Sequence, residues 1–230
     1  MKQASPTIND VLDRFVAEGG GVRNREGLVD VYRSYLDGYG HDLLTTAESE
    51  FWQRRYDLDE EAGSFCNLFG PDRILEGLEG FLGWFVIRKV LGPPETIEAA
   101  GPVCADLTTW LVEEGYIDPG AADGALERTS AATRDLPLAE ELSALLYASG
   151  RDVDEDAVLE FADWENELAE IERIEPGRLW FRSELGEIGP VLVPERAAGV
   201  ARLGWGISAL SFGRTEAGWH ILEMGNVYPG

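Results

Sequence analysis

The segment EPGRLWFRSELGEIGPVLVPE, residues 175–195, marks the place where the chain changes from one periodicity to another. Before it, apolar residues recur every three or four positions, as on amphipathic helices, and after it they recur at every second position, as in half-buried strands. The turn-forming triplet Glu175-Pro176-Gly177 separates the two patterns. The sequence therefore predicts an α+β protein, with a helical bundle over residues 1–176 and a small β module over residues 177–230.

The β module is predicted to hold four antiparallel strands and one short helix. Gly186 provides the turn of the first hairpin, and residues 216–218 provide the turn of the second. Between the hairpins, Pro194 opens a short helix that ends before Gly204. Four strands and a helix in so short a segment indicate a partly open barrel, or a sheet packed on the helices. The predicted strands are residues 178–184, 188–193, 205–213 and 219–227.

The part of the chain before residue 176 is predicted to be helical. Thr45 and Glu48 form a capping-box pattern, and residues 19–21 and 92–94 are predicted to interrupt the helices. The last predicted helix covers residues 153–174 and has apolar residues at helical spacing. These apolar residues are Val153, Val158, Phe161, Trp164, Leu168 and Ile171.

Acidic residues are unevenly distributed along the chain. The chain carries 43 Asp and Glu against 19 Lys and Arg, a formal net charge of −24. Residues 177–230 hold five acidic and five basic residues, so the β module is neutral and the other 38 acids and 14 bases precede it. We expect a partner to bind this neutral module, because its Arg and Trp residues are types that are over-represented in binding hot spots.

Lysine is nearly absent, with only Lys2 and Lys89 against 17 Arg. This acid-rich, lysine-poor composition resembles that of proteins from halophiles that accumulate salt in the cytoplasm. At molar salt the Debye length falls to about 3 Å, so carboxylates repel one another only at short range. The acidity then argues neither against a nucleic-acid partner nor for a basic one. The alternative is an acidic protein of an ordinary cytoplasm that binds or mimics basic partners.

Six aromatic and arginine residues of the β module are the candidate binding residues. Aromatic rings and guanidinium groups on a small sheet can stack on bases or hold a peptide. Alternatively, the Trp rings fill the core of the module, which needs large residues inside. Strand alternation places Trp180 and Arg182 on one face, opposite Leu179 and Phe181. The candidates are Trp180, Arg182, Trp205, Phe212, Arg214 and Trp219.

An acidic stretch, residues 152–163, resembles the calcium loop of EF-hand proteins. Its carboxylates fall on ligand positions, but Ala157 replaces the glycine of that loop and Asp163 replaces its final, longer Glu. The stretch also fits an ordinary capped amphipathic helix. A second acidic run, residues 57–61, is a further candidate for a divalent cation. The candidate ligands in the first stretch are Asp152, Asp154, Asp156, Glu160 and Asp163.

No pattern of catalytic residues and no cofactor motif is present in the sequence, so we expect no cofactor. Cys66 and Cys104 lie in apolar surroundings and are expected to be buried, reduced thiols. His41 and His220 have no nucleophilic side chain nearby in sequence. The sequence lacks a signal peptide and an apolar stretch that could span a bilayer, so we expect a cytoplasmic protein with no membrane association.

Residues 75–119 carry a pair of predicted helices with distinctive ends. The first helix contains FLGWFVIRKV, and the second ends in the pattern WLVEEGYI, residues 110–117. This segment resembles the SAM-like helical core-binding domain of tyrosine recombinases. The resemblance implies a DNA-associated helical platform. It does not imply recombinase activity, because the catalytic Arg, His and Tyr residues of that family are not discernible after it.

Three functional hypotheses follow from the sequence. The first is a non-enzymatic binding protein that engages a protein or a nucleic acid through residues 177–230. The second is a metal-dependent enzyme or metal-regulated protein that uses the acidic residues at 152–163 or 57–61. The third is that the β module covers the helices and mediates self-association into a homo-oligomer.

Overall fold

A computed structural model describes residues 5–19, 24–90 and 94–230. The chain divides into two compact units, the first up to Arg134 and the second from Asp135 to Gly230. Helices make up the first unit, and the strands of the described residues all lie in the second. The α+β class that the sequence predicts is therefore confirmed.

The first unit is built from helices joined by short connections. Residues 81–85 form a π-helical turn inside one helical run. The predicted interruptions at residues 19–21 and 92–94 fall largely outside the described residues. The helices are α1 (Ile8–Ala17), α2 (Arg25–Tyr39), α3 (Thr46–Tyr56), α4 (Phe65–Leu68), α5 (Leu78–Gly80), α6 (Val86–Lys89), α7 (Pro94–Glu113) and the first part of α8 (Pro119–Arg151).

None of the helices in the described parts of the chain combines the length and the apolar character that crossing a membrane requires.

Side-chain caps determine where two of these helices begin. The hydroxyl of Thr7 accepts a hydrogen bond from the amide of Asp10, whose carboxylate accepts one from the amide of Thr7 at 2.8 Å. Thr45 and Glu48 form the same capping box at α3, as the sequence predicts. Each box pairs amide groups that would otherwise have no partner at the start of a helix.

Tyr32 is the largest fully buried side chain of the described residues and anchors the core of the first unit. Its hydroxyl donates a hydrogen bond to the carbonyl oxygen of Ile74. Its ring centroid lies 4.6 Å from that of Phe81. Because the hydroxyl has a partner, the ring is buried without the desolvation penalty of an unpaired polar group.

The second unit contains a small β-barrel, whose strands differ in number and direction from the prediction. The strands are β1 (Glu160–Glu175), β2 (Arg178–Ser183), β3 (Gly186–Leu192), β4 (Gly206–Thr215), β5 (Gly218–Glu223) and β6 (Val227–Tyr228). In the described residues their order is β1-β2-β3-β5-β4-β6, and β1 also pairs with β4. Five strands therefore close on themselves, with β6 added along β4.

The predicted sheet of four antiparallel strands is wrong, because the sheet has six strands and mixed direction. The parallel pair is β3 with β5, which meet at Val191 and Trp219. These strands are separated by another strand in sequence, so local alternation does not reveal their pairing. The short helix predicted between the two hairpins is present as α9 (Glu195–Val200).

The predicted helix over residues 153–174 is also wrong, because most of it forms β1. The pairing of β1 with β4 shifts register between Trp164 and Leu168, so β1 contains a bulge. Trp164 lies inward before the bulge, and Ala169 and Ile171 lie inward after it. A bulge changes which positions face the core, and it made the apolar spacing of a strand resemble that of a helix.

The end of α8 belongs to the barrel and not to the first unit. Leu142 and Leu146 are fully buried in the same apolar cluster as Phe181 and Phe212. The boundary predicted between residues 176 and 177 falls in the turn that joins β1 to β2. The helix at residues 135–151 thus supplies part of the core that the strands alone would leave exposed.

We predict that Phe→Ala substitutions on the two faces of the barrel sheet differ in their effect on the free energy of unfolding. Phe212 is fully buried on β4, whereas Phe161 on the neighbouring β1 is 68% exposed. We expect Phe212→Ala to lower the free energy of unfolding by about 3–5 kcal/mol, because it leaves a cavity. Phe161→Ala is the matched control and should change it by less than about 0.5 kcal/mol. Denaturant unfolding of both variants measures the difference, and equal losses would contradict the assignment of these two faces.

Candidate functional site

The outer face of β1, β2 and β3 brings together charged and aromatic side chains. In the strand registers, Arg173 lies opposite Trp180, and Arg182 lies opposite Glu187. Glu172 of β1 also contacts Arg182. We call these five residues, Glu172, Arg173, Trp180, Arg182 and Glu187, the β1–β3 face.

Trp180 is held between its two neighbouring strands. The guanidinium carbon of Arg173 lies 4.5 Å from the centroid of the indole ring. On the other strand, a Cβ atom added to Gly189 would lie 2.3 Å from Cδ1 of Trp180, so only glycine leaves space for the ring there. Arg173 therefore makes a cation–π contact with a ring whose position is fixed, while its own side chain stays 61% exposed.

Arg182 is paired with two carboxylates. Its Nη2 atom donates to Oε1 of Glu187 at 2.8 Å and also to Glu172. Glu172 and Glu187 belong to the two strands on either side of Arg182. The positive charge at the centre of the β1–β3 face is thus balanced within the face itself. Such exposed pairs add little to stability, but they fix the direction of the guanidinium.

The six predicted binding residues do not form one site. Trp180 and Arg182 lie together on the β1–β3 face, as their alternation predicts. Trp205 and Phe212 are 4% and 0% exposed and lie in the core, because the barrel needs large side chains inside. They do not belong to any surface that a partner could contact.

The last two candidates, Arg214 and Trp219, form a separate cluster at the ends of β4 and β5. They lie opposite each other in the register of these strands. The guanidinium carbon of Arg214 is 5.9 Å from the Trp219 ring centroid, and its Nη1 donates to Glu160 at 3.2 Å. Trp219 packs partly against the barrel core.

Sequence reasoning missed Arg173 and Glu172, because it placed both on a helix. The sequence also contains no local signal that Gly189 contacts Trp180, because the two residues lie on different strands. The alternation of residues 169–173 about a buried Ala169 and Ile171 is the signal that would have placed them on a strand.

Three of the acidic candidates for metal binding, Asp154, Glu160 and Asp163, have other hydrogen-bond partners in the structure. Across the described residues, no three His, Cys, Asp or Glu side chains come together in a way that could hold a metal ion. Asp154 accepts from the amide of Asp156 at 3.1 Å, and Asp163 accepts from the amide of Glu165 at 2.9 Å. After α8, residues 155–157 form a single 3₁₀ turn and then β1 begins, so no second helix follows the loop as it would in an EF-hand.

The second acidic run, residues 57–61, is occupied by local hydrogen bonds in the same way. Asp57 accepts from the side-chain amide of Gln53 at 2.8 Å, and Glu60 accepts from the hydroxyl of Tyr56 at 2.7 Å. Asp59 accepts from the amide of Ala62 at 3.0 Å. These carboxylates stabilise the end of α3 and the turn after it.

The residues that resemble the recombinase pattern contribute to packing within the first unit. Trp110 of α7 donates its indole N–H to Glu18 at 3.0 Å. Tyr116 accepts a hydrogen bond from Arg14 at 3.0 Å. Both contacts connect the end of α7 with α1, as a structural helical pair requires.

Comparisons of the chain with protein-family models, with curated proteins and with solved structures found no match.

The two cysteines are predicted to be unreactive in the folded protein. Both are buried and not disulfide-bonded. Burial raises the pKa of the Cys104 thiol far above its ordinary value. The pKa of the Cys66 thiol is also raised, mainly by burial and further by the nearby Asp37 carboxylate. We expect no reaction with a thiol reagent at neutral pH until denaturant is added, and then two thiols per chain. Rapid labelling of the folded chain would contradict this burial.

The contact of Trp180 with Gly189 predicts the effect of adding one methyl group. Gly189→Ala forces the indole or β3 to move, and we expect the free energy of unfolding to fall by about 1–3 kcal/mol. Gly199→Ala on α9 is the matched control, because a Cβ atom there meets no neighbour within 4 Å. Thermal unfolding measures both effects, and the near-ultraviolet circular dichroism of the chain reports any change in aromatic packing. A Gly189→Ala variant as stable as the Gly199→Ala variant would contradict the packing described.

Proposed function

We propose that this protein is a non-enzymatic binding protein whose C-terminal barrel engages a protein partner through the β1–β3 face. The observation that supports the proposal is the Arg173–Trp180 stack beside Arg182 on the outside of the sheet. Trp and Arg are the side chains most often found at binding hot spots. Trp180 and Arg173 are also held in place before binding, so little side-chain entropy is lost when a partner docks.

The charge of this face favours a protein over a nucleic acid. Arg182 is paired with Glu172 and Glu187, and Arg173 is paired with Glu175. A groove that holds single-stranded nucleic acid normally carries an excess of positive charge along the phosphates. A protein partner can instead place its own charged side chains opposite the charged side chains of this charge-balanced surface.

Single-stranded nucleic acid is the second candidate, and the topology of the barrel is what favours it. Five strands close in the order β1-β2-β3-β5-β4, and α9 lies between β3 and β4. This is the plan of the OB-fold, a barrel that binds oligonucleotides on the face of its second and third strands. A shared fold does not by itself imply a shared function, and the charge-balanced side chains of the β1–β3 face favour the first candidate.

We also infer, from the composition alone, a cytoplasm with high salt as the setting of this binding. Acidic residues outnumber basic residues by 24, and lysine is almost absent. Under molar salt the anionic surface repels a partner only at short range, since the Debye length is about 3 Å. Binding assays therefore belong in molar KCl as well as in dilute buffer.

A pull-down with matched arginine variants tests the proposal. Arg182→Ala and Arg196→Ala both remove an exposed Arg that is ion-paired with a Glu, but only Arg182 lies on the β1–β3 face. We expect Trp180→Ala and Arg182→Ala to weaken capture of a partner from lysate in molar KCl by about ten-fold or more, corresponding to 1.4 kcal/mol. Arg196→Ala should capture it as the unaltered chain does.

The same experiment distinguishes the candidates. A captured protein that survives nuclease treatment supports the first candidate, and a nuclease-sensitive complex lost with Trp180→Ala supports the second. Capture of a second copy of the chain, seen as a dimer by light scattering, supports self-association. If every partner binds Trp180→Ala and Arg182→Ala as tightly as the unaltered chain, the β1–β3 face is not the binding surface.

A further inference from the structure

A groove lies on a part of the barrel that the β1–β3 face does not include. The end of α8 and the loop after it form one wall, and the outer sides of β1, β4 and β5 form the floor. Its volume is about 650 Å³, which is within the usual range for sites that hold a side chain or a small ligand. Its apolar lining includes Tyr147, Phe161, Leu222 and Met224.

Two close approaches shape this groove. A Cβ atom on Gly150 would lie 2.9 Å from the carbonyl oxygen of Leu222, so glycine allows α8 to approach β5 closely. On β4, Gly213 lies opposite Phe161 of β1, and the side chain of Leu222 covers the space that a larger residue would occupy. The floor of the groove, between Phe161 of β1 and the end of α8, is therefore apolar and lies close to the backbone of the sheet.

The aromatic side chains of the groove are unusually accessible. Phe161 is 68% exposed and Tyr147 is 58% exposed, although both line the same cavity. They come from different elements, β1 and α8, so exposed aromatic side chains line the groove from two sides. A contiguous exposed apolar surface with a polar rim is typical of a site that another molecule covers.

The rim of the groove is predominantly acidic. Glu155 and Glu223 line it, and Arg151 is the one basic residue among its described lining residues. Asp163 adds a further carboxylate beside it, because Ser211 of β4 lies between Asp163 and Glu223 in the strand registers. A ligand that fits this lining has an apolar part for the floor and positive charge for the rim.

We propose that this groove binds a basic peptide segment of a protein partner, which inserts one aromatic or large apolar side chain onto Phe161, Tyr147 and Leu222. Lys or Arg residues on either side of that anchor contact Glu155 and Glu223. This site is independent of the β1–β3 face and of the function proposed for it. It binds a short segment by one anchor and its flanking charges, as apolar pockets with charged rims do.

Fluorescence anisotropy with designed peptides tests the site on the full chain. The probe is a fluorescein-labelled peptide with one phenylalanine flanked by lysines and arginines, and its comparison peptide has alanine in place of the phenylalanine. Because binding buries the apolar phenylalanine ring, we expect the phenylalanine peptide to bind at least about ten-fold more tightly. This preference should persist in molar KCl, whereas the contribution of the rim should fall.

Matched variants locate the binding. Phe161→Ala and Tyr147→Ala should each remove most of the preference for phenylalanine, and Glu155→Gln with Glu223→Gln should weaken both peptides. Leu185→Ala and Leu203→Ala remove equally exposed apolar side chains elsewhere on the barrel and should change nothing. Trp180→Ala should also leave peptide binding unchanged, which separates this site from the β1–β3 face.

Three results would overturn the proposal. One is equal affinity for the phenylalanine and alanine peptides, which would mean that the acidic surface attracts any basic chain. Another is binding by Phe161→Ala and Tyr147→Ala at the affinity of the unaltered chain. The third is no measurable binding of the phenylalanine peptide in dilute buffer, where attraction by the acidic rim is strongest.

Discussion

The architecture of the second unit depends on one strand, β1, which pairs with β4 along its first part and with β2 along its last. The bulge between Trp164 and Leu168 lets this strand change direction enough to serve both neighbours. Closure of the sheet through β1 brings Phe181 and Phe212 together in one core. The same strand supplies Phe161 to the groove and Arg173 to the β1–β3 face, so both candidate surfaces depend on its register.

Features that depend on residues only a few positions apart in the sequence were predicted correctly. The capping box of Thr45 and Glu48 depends on residues three positions apart. The hairpin of β2 and β3 and the helix α9 follow from turn residues and alternation over short distances. Alternation also placed Trp180 and Arg182 on the same face, because a strand has a fixed period of two.

Features that depend on distant residues were not predictable. The spacing of Phe161, Trp164, Leu168 and Ile171 fits a helix as well as a bulged strand, and only the pairing with β4 decides between them. Residue type alone does not distinguish the core Trp205 from the partly buried Trp180, because burial depends on which strands meet. Arg173 and Tyr147 became candidates only when the fold placed them beside Trp180 and the groove.

The barrel is closed between β3 and β5 by one residue pair, Val191 with Trp219, whereas its other seams are joined by several pairs. If that seam separated, the barrel would open into a sheet with β1 at its centre. Strands β2 and β3 would lie on one side of β1, and strands β4 and β5 on the other. Proteins open first where the fewest interactions must break. Local opening of the barrel should therefore begin at this seam, before the seams that several residue pairs join.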